Sequence, residues 1–195
     1  YTFLKDKSKT AFINPEDKIQ IDRTKGINTI NFKLEDLKIL VSNPFVEISF
    51  KTSRLRSNLI GSYNYSSIAA AISIGVYFKV TDEKIKEAIE GYVPKNNRSQ
   101  IIKTANNKII LDAYNANPSS MKVAIEHFAT IKTATKVLIL GDMFELGKET
   151  QYEHQTIVNL ATSLNIDQIF LVGENFYQTT TTKLKFHSYN ILEDY

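Results

Sequence analysis

The chain has no cysteine, which excludes disulfides and thiolate metal sites and is compatible with a reducing compartment. Histidine is scarce. His127, His154 and His187 lie far apart and form no HExxH-like pair, so nothing in the spacing suggests a zinc-protease site. There is no run of about 18 apolar residues that could span a membrane, and the first residues resemble neither a signal peptide nor a transit peptide. A cytoplasmic protein with no membrane insertion is therefore expected. Strong charge is missing too. A formal net charge of +3 is too small to imply nucleic acid, and the basic residues are dispersed, with no stripe interleaved with aromatics. What is present suffices for a core: 195 residues, 43% of them hydrophobic, suit one large or two small domains.

The most informative stretch runs from Ile109 to Met121. Ile109, Ile110 and Leu111 read as a short buried strand. Asn117 before Pro118 marks a helix start, because an Asn side chain caps free backbone N–H groups and proline fits the first helical position. Asp112, Tyr114 and Asn115 fall between them, at the carboxyl end of a strand, where open α/β sheets place their ligands. A well-capped turn without chemistry is the alternative.

The opening Tyr1-Thr2-Phe3 carries no start signal, so the chain is expected to begin inside a larger domain. Residues 1 to 60 read as β-rich and predict no helix. Val46, Ile48 and Phe50 alternate with Glu47 and Ser49, and Leu55, Ser57 and Leu59 repeat that period, which predicts a hairpin. Ile68 to Val76 is rich in alanine and apolar on most sides, the pattern of a buried helix, which Asn64 either caps or precedes as a ligand contact. A second helix is predicted from the cap Thr81 to the stop Gly91. Tyr92-Val93-Pro94-Lys95-Asn96-Asn97 reads as a linker, with a domain boundary near residue 97.

Beyond it strands alternate with helices. Met121, Ala124, Ile125 and Phe128 share one helical face, Lys136 to Leu140 reads as a buried strand, Thr150-x-x-Glu153 as the capping box of a helix, and Ile169 to Val172 as a third buried strand. That β-α-β-α-β order predicts a parallel sheet with right-handed crossovers. Thr179 to Thr182 is expected to be a loop.

Gly141 to Glu149 follows a strand and precedes a helix, the setting of a phosphate loop, but the spacing excludes one. Five residues separate Gly141 from Gly147, and Glu149 stands where a hydroxyl should follow Lys148. Asp142 and Glu145 would repel phosphate; they either hold a cation or an ammonium group, or are solvated loop charges. Arg98 offers a planar guanidinium suited to phosphate or carboxylate, or is a surface residue. His154 shares a face with Ile157, Val158 and Ala161, and is either a partly buried structural histidine or a base.

Taken together, Asn97-Arg98-Ser99, Asp112-Ala-Tyr114-Asn115-Ala-Asn117-Pro118 and Gly141-Asp142-Met143-Phe-Glu145-Leu146-Gly147, in that order with His154 after them, resemble the Mur ligase family. The match is to its branch that joins D-alanyl-D-alanine to UDP-N-acetylmuramoyl-tripeptide in peptidoglycan synthesis, and it covers most of residues 11 to 175. It implies an α/β protein in which residues 1–97 are the later, β-rich part of a central ATPase domain and residues 98–195 a Rossmann-like C-terminal domain with a mainly parallel sheet. It also implies a reaction, in which ATP phosphorylates the tripeptide carboxylate and the dipeptide amine attacks the acyl phosphate.

Carried over by position, Asn64 lies near the adenine, Arg98 near the phosphates and ribose, and Asp112 on the ribose hydroxyls, with Arg98 and Asp112 serving catalysis. Tyr114, Asn115 and Asn117 lie where the dipeptide enters. A monomer is expected. The family's His-Asn-x-x-Asn is Tyr63-Asn64-x-x-Ser67 here, which replaces one adenine contact. The family's phosphate loop, its Mg²⁺-binding acidic residue and its modified lysine have no counterpart, nor does the Lys-Gly-Ser-Arg near its end. The expectation is a fragment of a ligase, inactive alone, with its Mg²⁺ ligands outside these residues. A non-catalytic nucleotide- or partner-binding module and a folylpolyglutamate synthase-like amide ligase are the alternatives.

Overall fold

The computed structural model describes residues 2–7, 9–32 and 37–194; Tyr1 of the opening tripeptide lies outside them. The chain forms two compact units, Tyr1–Lys95 with Ser99–Ile101 and Asn96–Arg98 with Ile102–Tyr195. Among the described residues no helix is long and apolar enough to cross a membrane.

The first unit is organised by a hairpin. In β4 (Phe45–Phe50) Val46, Ile48 and Phe50 are buried and the residues between them are not, because successive side chains of a strand point to opposite faces. β5 (Ser53–Ile60) pairs with it antiparallel, and β3 (Leu37–Val41) pairs on its other edge. The helix α3 (Tyr65–Tyr77) lays Ile68, Ala69 and Ile72 against Val46, Ile48, Phe50 and Leu55; each such aliphatic side chain contributes about 1.5–3 kcal/mol of burial. α4 (Asp82–Gly91) starts where Thr81 accepts a bond from the Lys84 N–H, and its Ile85 joins the same core. A Cβ on Gly75 would lie 3.0 Å from Ile85, so the glycine permits close approach of α3 and α4.

Two expectations for this unit fail. The stretch expected to lack helices holds α1 (Thr2–Asp6) and α2 (Lys18–Arg23), with α2 connecting the parallel strands β1 (Thr10–Ile13) and β2 (Asn28–Asn31). α2 shows no apolar stripe because its Ile19 and Ile21 are exposed. It is held instead by Asp17, which accepts from Ile19 N–H and Gln20 N–H, and by Gln20, whose side chain accepts from Asn14 N–H. The second failure is α3, expected to be buried on most sides. Its Ile74, Val76 and Tyr77 are exposed, since only one of its faces meets the sheet.

β6 (Gln100–Lys103) and β7 (Lys108–Leu111) form a two-stranded sheet, and in the second unit α5 (Pro118–Thr130) follows β7. Then come β8 (Val137–Gly141), α6 (Thr150–Ser163), β9 (Gln168–Val172), α7 (Glu174–Tyr177), β10 (Leu184–Phe186) and α8 (Tyr189–Glu193). β8, β9 and β10 make a parallel sheet in the order β10-β9-β8. Ile125 of α5 and Ile157, Val158 and Ala161 of α6 pack with Leu140, Ile169 and Leu171. The parallel sheet is thus present, but β7 pairs with β6 and β10 supplies the third strand. Residues 179–182 are loop, as expected.

The strands are also less buried than their composition predicts. Ile109 of β7 is 43% exposed; in β8 Val137 is 45% exposed and Ile139 59%, because the helices cover the face of that sheet that carries Leu138 and Leu140 and leave the other open. Lys136, just outside β8, is the buried residue: its Nζ donates to the carbonyls of Ala129 and Asn165, and its N–H donates to Asp167. The capping box expected at Thr150 does not form. A 3₁₀ turn, Gly147–Glu149, runs straight into α6, so Thr150 is already helical and its hydroxyl donates back to the Gly147 carbonyl.

Candidate functional site

Two turns of the second unit gather the polar residues that the sequence singled out. The first follows β7. Asn97 has a positive φ of 56°, which puts its carbonyl where it accepts from both Ala113 N–H, at 2.8 Å, and Tyr114 N–H, at 3.1 Å. These two hydrogen bonds tie the segment before β6 to the turn after β7. It brings the Arg98 guanidinium 3.8 Å from the centroid of the Tyr114 ring, a stack worth about 0.5–1 kcal/mol at an exposed position. Tyr114 remains 63% exposed, so the pair fixes the plane of the guanidinium while leaving its edge open to solvent. Asp112 is exposed at the end of β7.

Further along the same turn the side chains serve the backbone. Asn115 accepts from Ala116 N–H. Asn117 is the cap of α5: its Oδ1 accepts from Ser120 N–H at 2.9 Å and from the Ser119 hydroxyl at 2.8 Å, with Pro118 as the first helical residue. The cap predicted from Asn-Pro is present, and it occupies the Asn117 oxygen.

The second turn follows β8, and its groups are bonded inward. His154 is 0% exposed. Its Nδ1 lies 2.6 Å from the Thr150 carbonyl, which can only accept, so Nδ1 carries the proton; Nε2 then accepts from Met143 N–H at 3.0 Å. The 3.6 Å approach of Nε2 to Asp142 is therefore proximity, since that nitrogen has no hydrogen to donate. Asp142 accepts instead from Asn175 N–H and Phe176 N–H at the start of α7, both at 2.9 Å. Its motif did not reveal this role. The signal available was Gly173, a glycine closing a buried strand, where a Cβ would lie 2.3 Å from the Asp142 carboxyl carbon.

In the first unit Asn64 is half-buried, and its amide donates to the Ile60 carbonyl at 2.7 Å; it makes no cap bond to α3. Tyr63, which replaces a histidine of the family pattern, has its hydroxyl 3.0 Å from that of the buried Ser99. That pairing was not anticipated. Burial holds His127 of α5 below the usual histidine pKa. Among the described residues no group of three or more His, Asp and Glu is placed to hold a metal ion.

Residues 97–188 match the family model described as Mur ligase, glutamate ligase domain. The chain is similar to the UDP-N-acetylmuramoyl-tripeptide–D-alanyl-D-alanine ligase of Bacillus subtilis, 30% identical over 179 residues, which covers 88% of this chain and 39% of that protein. In fold it is similar to MurF from Acinetobacter baumannii, with a TM-score of 0.76 and 23% identity over 92% of this chain and 42% of that one. It is also similar to the MurF ligase of Thermotoga maritima in complex with ADP, with a TM-score of 0.72 and 18% identity over 91% and 44%. The chain thus spans less than half the length of each.

Proposed function

Since this chain belongs to the Mur ligase family through its residues 97–188, we propose that it is part of an ATP-dependent amide ligase that joins D-alanyl-D-alanine to UDP-N-acetylmuramoyl-tripeptide. In this reading residues 1–97 are the later part of the ATPase domain and residues 98–195 most of the C-terminal domain. The protein is cytoplasmic and monomeric. The observation that carries the reading is the turn after β7, where Asn97 clamps the backbone, Arg98 stacks on Tyr114 and Asp112 stands exposed at the strand end.

These groups suit a nucleotide. A guanidinium held flat with its edge exposed can donate two parallel bonds to phosphate or ribose oxygens, and a carboxylate can accept from ribose hydroxyls. Asn64 is the proposed adenine contact. Tyr114 and Asn115 face the amine substrate, and Asn117 contributes by capping the helix that follows them. ATP, when bound, supplies the phosphoryl group that gives the tripeptide carboxylate a leaving group. Arg98 stabilises charge on the transferred group, and Asp112 orients the nucleotide. The ligands of the Mg²⁺ that accompanies ATP are proposed to lie elsewhere in the protein.

The test is ADP release by the natural protein that contains this sequence, which should require both UDP-N-acetylmuramoyl-tripeptide and D-alanyl-D-alanine. Turnover with a folate and glutamate in their place would overturn the reading in favour of a folylpolyglutamate synthase-like ligase. Nucleotide binding without turnover on any acceptor would favour a non-catalytic module.

A further inference from the structure

We propose that Asp142 and His154 are positioning residues that hold Met143–Gly147 as a preformed wall of the ligand site, with the Glu145 carboxylate presented to the ammonium group of the incoming dipeptide. This rests on the function proposed above. Three elements grip one short turn at the carboxyl end of β8, the end of a parallel sheet at which ligands bind. α6 grips it through His154, whose two ring nitrogens are both used, one on its own helix and one on Met143 N–H. The start of α7 grips it through the two N–H groups that Asp142 accepts. The end of β9 lies so close, at Gly173, that only a glycine fits beside Asp142. The Phe176 ring then packs edge-on against the imidazole at 4.6 Å.

The consequence is seen along the turn. Met143 is fully buried and Leu146 packs on the core, while Phe144, between them, is 71% exposed and Glu145 is exposed beside it. Glu145 has a φ of 64°, a conformation that costs a residue with a side chain on the order of 1 kcal/mol and persists only where its surroundings impose it. The anchors on either side impose it. Of the two carboxylates in the motif, Asp142 is committed to backbone N–H groups, which leaves Glu145 as the one turned outward. An amine that arrives protonated is attracted by such a carboxylate, and it must lose its proton before it can attack a carbonyl carbon.

Steady-state kinetics of the natural protein containing this sequence test the assignment with three variants. Glu145→Gln, at an exposed position, keeps the fold and is expected to raise KM for D-alanyl-D-alanine about tenfold, with KM for ATP and for the tripeptide within twofold of wild type. Asp142→Asn places an N–H donor against N–H donors, and Gly173→Ala drives the same carboxylate aside without changing any charge. Both are expected to raise the dipeptide KM in the same selective way at temperatures well below their Tm. Unchanged dipeptide KM in Glu145→Gln overturns the role of Glu145. A fall in Tm with all three KM values unchanged in the other two shows the grip to be structural only. A wild-type protein that releases no ADP with the dipeptide removes the proposed function and this inference with it; an active wild type with an unaffected Glu145→Gln removes the inference alone.

Discussion

The turns after β7 and after β8 have the same outline, strand to polar turn to helix, and spend their polar groups in opposite ways. After β7 the side chains of Asn115 and Asn117 bond within five residues of themselves, and the exposed groups are Asp112, Arg98 and Tyr114. After β8, Asp142 reaches residues 33 and 34 positions away and Met143 bonds to a histidine 11 positions on. Locally closed side chains leave a turn dependent on its own sequence and, here, on the Asn97 carbonyl that holds its start. Groups closed over long distances make a turn depend on the whole unit, so damage to the anchors of the second should cost stability as well as dipeptide binding, whereas damage to the exposed groups of the first should cost binding alone.

Gly173→Ala should break that contrast most severely. Backbone strain at a φ of 121° is added to a Cβ 2.3 Å from Asp142, and the loss is expected to be about 3 kcal/mol in urea unfolding, in the range of single-site strain and overpacking. Asp112→Ala should do the reverse. In the natural protein kcat/KM for ATP is expected to fall about ten- to a hundredfold, the worth of a hydrogen bond to a charged group, while the melting curve stays put. Unchanged kinetics would remove Asp112 from the site.

Asn117→Ala lies between the two, because it removes a helix cap worth about 1 kcal/mol. A lower Tm with a dipeptide KM within twofold of wild type would show that Asn117 acts through α5 alone. Arg98→Lys keeps the charge and loses the planar fork, so turnover should drop several-fold with stability altered by less than about 1 kcal/mol; wild-type turnover would reduce Arg98 to a surface residue.

The smallest effect concerns His127. Its pKa in the folded chain is lowered by burial, so the unfolded state binds the proton more readily. Stability from this group is present above the unfolded value near 6.5 and is lost as pH falls through that value toward the folded one. A Tm measured from pH 7.5 to pH 5 should decline slightly less in His127→Gln than in wild type.

What the sequence made legible were features set by neighbours along the chain. Alternation in β4, the Asn117-Pro118 cap and the Thr81 cap each follow from a few consecutive residues, and each is present. α2 escaped notice because its support comes from Asp17 and Gln20 bonding to the backbone, with no apolar period to reveal it. Thr150-x-x-Glu153 had the spacing of a capping box, but the chain was already helical there. The composition of β8 suggested two covered faces, whereas burial depends on which elements lie above and below. At the site, the stack of Arg98 on Tyr114 and the grip of His154 on Met143 join positions that only the fold brings together.

Lys136 offers one practical consequence. Its ammonium group closes a carbonyl in the last turn of α5 and another in the loop just beyond α6, and is almost wholly shielded from solvent, whereas Lys122 and Lys183 are exposed or half-exposed. Under an amine-reactive label Lys136 should therefore be modified far more slowly than either, and peptide mass spectrometry can follow it by itself. Its labelling rate becomes an internal clock for the opening of this end of the second unit. A variant that disturbs the turns at the opposite ends of the strands, yet leaves that clock unchanged, has altered the site without loosening the body that carries it.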